Sequence, residues 1–391
     1  MSVEIKVLDE KSIGKYFQAA ALGYILEDLP ENLREKILRG FTTGTITLNL
    51  NEANQLVNNL ALSLNKICNA KESTPKLYTA GDTSDREIIS EMAPGTPYEF
   101  SKDKKGPQLC SWLISIAQTL VENANKPVDM PMFLRTYVFS KYRDFREVEG
   151  EKVNGISLYV ASAGALISII AKQARGNSNF EFYLVPDASV ESLQNAPRIY
   201  TITHATGNGL EGLEKRIRGF LRVENISLEL TLLLSIALHV SDVTKHVMEM
   251  PPLTGLFNVF EKFRLINIEC SGKRPLVVWE RPLTITHILQ VLDKRGALDI
   301  LNMLYYASKH SNMVEKAGDV ISQCISALFA YTETGSLDAV FLCGASAQRI
   351  SDQFGDLCRK NKSDEACKGE LYFKRLTGKV ARLVGFHHGL F

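Results

Sequence analysis

The stretch Met313-Val-Glu-Lys-Ala-Gly-Asp-Val-Ile-Ser-Gln-Cys-Ile-Ser-Ala-Leu-Phe-Ala-Tyr-Thr-Glu333 decides the fold. Val314, Ala317, Val320, Ile321, Cys324, Ile325, Leu328 and Phe329 recur every three or four positions, so they line one side of a helix. Gly335 stands where a helix end wants a residue without Cβ, and Ser336 with Asp338 opens the next helix. Upstream, Leu283 to Lys294 and Ala297 to Lys309 read as helices parted by Arg295-Gly296. Downstream, Ser363 with Asp364 and Glu365 starts a last helix. Connections this short make neighbouring helices antiparallel, hence a bundle.

The first half mixes both periods. Lys15 to Leu26, Glu31 to Arg39 and Glu52 to Ile67 have helical spacing, while Thr45 to Leu50 alternates like a half-buried strand. Ser157 to Arg175 reads as a small-residue helix with Gly176 as its C-cap, followed by a strand over Phe180 to Val185. A second strand is expected at Arg198 to Thr203. Past about residue 225 strand signals thin out apart from Pro275 to Glu280, and Ile226 to Met248 is apolar enough for a buried helix. The expected fold is α+β, predominantly α. A mixed domain with a few short strands covers 1–225, and a helical domain covers 226–391, its bundle clearest from 283.

Composition narrows the function. Apolar residues make up 45 % and charged residues 23 % of the 391, with a net charge of +1, so any surface for a polyanion must be a local patch. No window approaches the roughly 20 apolar residues of a membrane span. The start of the chain has acidic Glu4, Asp9 and Glu10 where a signal peptide would be basic and then apolar. A soluble, cytoplasmic protein with no membrane partner is the expectation. The seven cysteines are odd in number and scattered, without a Cys-x2-Cys pair, which reads as neither a disulfide framework nor a zinc site. Cys324 and Cys343 are expected as small buried apolar side chains. No metal and no cofactor is expected.

Basic residues gather in three places. Lys102, Lys104 and Lys105 sit beside Tyr98 and Phe100 in a loop-rich segment, a combination that can hold a single strand by charge and stacking. Lys215, Arg216, Arg218 and Arg222 alternate with Ile217, Phe220 and Leu221, giving a helix with one apolar and one basic side. Pairing with Glu211 and Glu214 on a solvated face is the competing reading. Lys141 to Arg146 is a weaker version of the same pattern. In the last helix Lys368, Arg375, Lys379 and Arg382 share one face, opposite Tyr372, Leu376, Val380, Leu383 and Val384.

Catalytic signals are thinner. Gly207-Asn-Gly-Leu-Glu-Gly212 matches a dinucleotide fingerprint, but no second strand with a terminal acid follows, so it reads as a glycine-rich turn. His239 and His246 are seven apart, too far for a metal pair on one helix. Arg382 and His387 have the Arg-x4-His spacing of a class of metal-independent ribonucleases, in which such pairs activate a ribose 2′-hydroxyl and stabilise phosphate charge. By the same loose rule Arg198/His204, Arg281/His287 and Arg382/His388 also qualify, so spacing alone decides nothing. No residue is assigned as catalytic, and a ribonuclease using Arg382 and His387 is the alternative reading.

A family resemblance joins these pieces. Phe180-Glu-Phe-Tyr-Leu-Val-Pro-Asp187, Val277-Val-Trp-Glu-Arg-Pro-Leu283, Asp293-Lys-Arg-Gly-Ala-Leu-Asp299 and Thr332-Glu-Thr-Gly-Ser-Leu-Asp338 give residues 155–385 the order and character of one family. In these the chain resembles the large subunit of archaeal type I-A CRISPR interference complexes. The resemblance implies a mixed N-terminal domain, a C-terminal helical bundle and no catalysis. It implies a place in a Cascade-like complex with guide RNA and target DNA, testing the flanking motif and admitting a nuclease-helicase among the other effector subunits.

Overall fold

The computed structural model describes residues 2–9, 12–69, 83–96, 98, 108–131, 134, 152–175, 178–207, 210–246, 259–270, 276–283, 285–294 and 296–387. The fold is α+β and predominantly α. It forms two compact units: Met1–His204 with Asn258–Leu283, and Ala205–Phe257 with Thr284–Phe391. A single boundary at residue 225 does not coincide with this division, because two strands from beyond it complete the sheet of the first unit.

In the first unit β1 (Ser2–Lys6) pairs antiparallel with β2 (Thr45–Asn49), each buried at alternate residues. The period-2 reading of the second strand therefore holds. Helices α1 (Ile13–Tyr24), α2 (Glu31–Thr43), α3 (Leu50–Asn69), α4 (Thr83–Ser90) and α5 (Gln108–Leu120) follow the expected helical spacing where the sequence displayed it. Two short strands, β3 (Pro127–Asp129) and β4 (Lys152–Asn154), pair ahead of α6 (Gly155–Ser168). All of α6 is buried. Its Gly164 lies against the backbone of Phe17 in α1, so closely that a Cβ would overlap the Phe17 carbonyl.

The helix expected over Ser157 to Arg175 stops at Ser168. Ile169–Arg175 is instead β5, the edge of a four-stranded antiparallel sheet with β6 (Ser178–Pro186), β7 (Phe263–Glu269) and β8 (Leu276–Pro282). Pairing of Ala171 to Arg175 with residues 178–182 of β6 overrides the local helical pattern. The strand expected at Arg198 to Thr203 is likewise helical, part of α7 (Val190–Thr203), with Pro197 inside it. Packing decides this: Ala196 and Leu193 face Gly23 of α1, and the Tyr200 hydroxyl donates to the Leu184 carbonyl at 2.9 Å. Strand β7, which the sequence did not announce, is central and buried along most of its length, so it lacks a solvent-facing alternation.

The second unit is helical: α8 (Leu213–Phe220), α9 (Leu228–His246), α10 (Ile285–Lys294), α11 (Ala297–Lys309), α12 (Ser311–Thr334), α13 (Asp338–Asn361) and α14 (Asp364–His387). Gly296 and Gly335, at φ 70° and 71°, take the left-handed turns that end or begin helices. The stripe Ala317, Val320, Ile321, Cys324, Ile325 and Leu328 is buried as its spacing predicts, with Val314 and Phe329 half-buried. Glycines bring α13 and α14 together: a Cβ on Gly344 would lie 2.7 Å from Val380, and one on Gly369 2.7 Å from Phe354.

The cysteines correct the sequence reading. Cys68–Cys110, Cys324–Cys343 and Cys358–Cys367 are disulfides, joining α3 to α5, α12 to α13 and α13 to α14, and Cys270 is a free thiol. Cys324 and Cys343 are buried, but as a bridge. Spacing along the chain hid this because each bridge joins two helix faces that only packing brings together. Among the described residues no helix is long and apolar enough to cross a membrane.

Candidate nucleic-acid interface

Helix α14 carries the clearest basic surface. Ala366, Phe373, Leu376, Val380 and Leu383 are buried, while Lys368, Arg375 and Arg382 are exposed, so the packing and basic stripes lie on separate faces. Val384, expected on the packing face, is half-buried. Lys368, Arg375 and Arg382 have no ion-pair partner among the described residues. Lys379 differs from them: its ammonium bonds the Asp299 carboxylate of α11. The Tyr372 hydroxyl donates to the Met303 carbonyl, a second tie of α14 to α11. Two charges and a phenol thus fix how the helix presents its basic face.

The α8 cluster divides differently. Arg216 is buried, its guanidinium 2.8 Å from Asp242 and its Nε donating to the Glu211 carbonyl at 3.3 Å, with the Tyr305 ring 5.5 Å away. Arg218 donates to Glu214 at 2.6 Å, one turn back on an exposed face. Arg222 donates to the Lys309 carbonyl at 3.0 Å. Lys215 lies 3.6 Å from Glu211, which also accepts from Tyr305 at 2.6 Å and from Lys309. Burial pushes the Glu211 carboxyl up, but bonds from Lys309 and Tyr305 and the charges of Lys309 and Lys215 outweigh it and hold it below the usual range. Burial, then the Glu211 carboxylate, pushes the Tyr305 phenol up. The basic side of α8 is therefore largely consumed in joining α8 to α9 and α11. The sequence named Glu211 and Glu214 as partners; it gave no signal for Asp242, Asp299 or Tyr305, which lie far along the chain.

Lys102, Lys104, Lys105 and Lys141 to Arg146 lie outside the described residues. Gly207 and Leu210 exchange backbone hydrogen bonds, with Gly207 at φ 99°, and α8 then α9 follow instead of a strand. Of the Arg/His pairs, His204 is half-buried: its Nε2 bonds the Ile167 carbonyl at 2.9 Å, and desolvation lowers its pKa to about 4. Arg198 is half-buried as well, and the His204 ring is tied to the backbone at Ile167. Arg281 on β8 and His287 on α10 belong to separate units. Arg382 is exposed, His387 ends α14 with its side chain outside the described residues, and His388 lies outside them altogether. His239 is wholly buried in α9.

Two features of the α14 surface had no reading in the sequence. Leu371 is exposed within the basic stripe, and Gly378 is exposed between Arg375 and Arg382. At the far end of α14, Val384 joins Leu337, Asp338, Phe341 and Leu342 in an open groove. No family model and no curated protein matches the chain.

Proposed function

We propose that this chain is a non-catalytic nucleic-acid-binding protein that grips a phosphodiester backbone with the exposed face of α14. The supporting observation is that Lys368, Arg375 and Arg382 stay solvated on a helix whose opposite face is locked into a bundle. Cations held on a rigid frame release condensed counterions on binding without first losing side-chain partners. Lys379 and the α8 cations belong to the framework that orients this face, with Lys215 and Arg218 its outer fringe. On the family resemblance, the finer proposal is the large subunit of a type I-A CRISPR surveillance complex, working with guide RNA, target DNA and a nuclease-helicase. A cytoplasmic site of action belongs to the same proposal. Disulfide-bridged intracellular proteins are found in hyperthermophiles, which is compatible with the three bridges.

The test is fluorescence anisotropy of the full chain with labelled single-stranded DNA, single-stranded RNA and duplex DNA in EDTA. Replacing Lys368, Arg375 and Arg382 together by Glu is expected to weaken binding at least about a hundredfold and flatten the slope of log K against log salt by roughly three. Unchanged binding would remove α14 from the site. Metal-free RNA cleavage lost in His387→Ala would replace this reading with the ribonuclease.

A further inference from the structure

Three glycines in the α13/α14 hairpin have a visible purpose, and Gly378 does not. Gly344 admits Val380, Gly369 admits Phe354 and Gly355 admits Glu370, each at a distance where a Cβ would press on its neighbour. Gly378 stands in the middle of α14, exposed, and a Cβ there would meet nothing within 4 Å. It takes no left-handed backbone angle that would call for glycine. Alanine would favour the helix at an exposed interior position, so among the described residues neither packing nor backbone geometry accounts for the glycine. Its surroundings are cationic: Lys374 and Arg382 lie one turn to either side, Arg375 lies three residues before, and all three are exposed.

We infer that Gly378 is the point of closest approach of a nucleic-acid backbone to α14. A helix surface without a Cβ is a shallow notch, in which a phosphodiester can sit against the helix backbone. Arg375 and Arg382 reach the phosphates on either side of it. The notch brings those guanidiniums within direct hydrogen-bonding distance of the phosphate oxygens, where charge-assisted bonds are strongest. This inference rests on the reading of α14 as a phosphodiester-binding face. The positive charge around the notch selects an anionic occupant, and the groove at Phe341 and Leu342 is not part of it.

Gly378→Ala and Gly378→Gln, in the full chain, separate the notch from the charge. Both leave every cation in place, and Gly378→Ala is expected to raise the melting temperature by a few degrees. Gly378→Gln is expected to weaken anisotropy-measured binding of a labelled oligonucleotide about tenfold, with Gly378→Ala intermediate. DNA, RNA and duplex probes show which backbone fits the notch. If both variants bind as tightly as the parent while the Lys368, Arg375 and Arg382 reversal abolishes binding, the notch is overturned and the basic face stands. If the reversal too has no effect, the underlying reading has failed. If labelled poly-glutamate binds as tightly and loses the same factor in Gly378→Gln, the occupant is an acidic protein surface and the nucleic-acid assignment is overturned.

Discussion

Arg216, the second cation of the most basic stretch in the chain, lies buried against Asp242 with its guanidinium 2.8 Å from the carboxylate. The same residue type two positions on, Arg218, stays in water. Breaking a buried pair leaves its partner's charge uncompensated, so Arg216→Met is expected to destabilise the chain by about 3 kcal/mol. Adding Asp242→Leu removes the stranded charge and is expected to restore most of that loss. Urea unfolding of both variants measures this. The salt slope of oligonucleotide binding by folded Arg216→Met is expected to match the parent, because the buried Arg216 meets no phosphate.

His204 gives the chain an acid-sensitive point. It packs against Tyr24 and Tyr200, and desolvation lowers its pKa to about 4 despite the bond to Ile167. The unfolded chain takes up this proton near pH 6.5 and the folded chain only near 4, so the neutral ring favours the fold at neutral pH. That stabilisation is complete above pH 6.5, declines as pH falls through the window, and levels off below about 4. The full loss is on the order of 3 kcal/mol. His204→Gln keeps a donor for the Ile167 carbonyl and removes the titration. Calorimetric melting between pH 7 and 4.5 is expected to show a shallower decline for this variant than for the parent.

The bridges differ in the length of chain they close: 42 residues for Cys68–Cys110, 19 for Cys324–Cys343 and 9 for Cys358–Cys367. Loop-closure entropy then ranks their contributions at roughly 4, 3 and 2.5 kcal/mol. Paired Cys→Ala variants are expected to lose stability in that order in urea unfolding. Alkylation of the denatured, unreduced protein is expected to label one thiol, Cys270, by mass spectrometry. Labelling at the other six positions would show that the bridges do not form.

How much of this was legible along the chain follows from how local each feature is. The C-terminal bundle was, because Ala317 to Leu328 repeat with the helix period and Gly296 and Gly335 mark its turns. The basic stripe of α14 was as well, since residues three, four and seven apart on a helix must share a face. Ile169–Arg175 was not: a run that can be helix or strand is settled by its neighbour, here β6. Gly164 shows the same limit, its small size explained only by Phe17 in another helix. The cysteines, spaced without pattern, meet in pairs only once α3 and α5, and then α12, α13 and α14, are packed.

The division runs through the site itself. Sequence alone determined which residues of α8 and α14 are cationic and which side of each helix they occupy, because helical geometry is local. Tertiary structure decided which of those cations are paired within the chain and which stay in water. Asp242 and Asp299, distant in sequence, bind Arg216 and Lys379, and leave Lys368, Arg375 and Arg382 in water. A charge is free or spent according to what folds beside it, and that neighbour is set by packing, not by spacing.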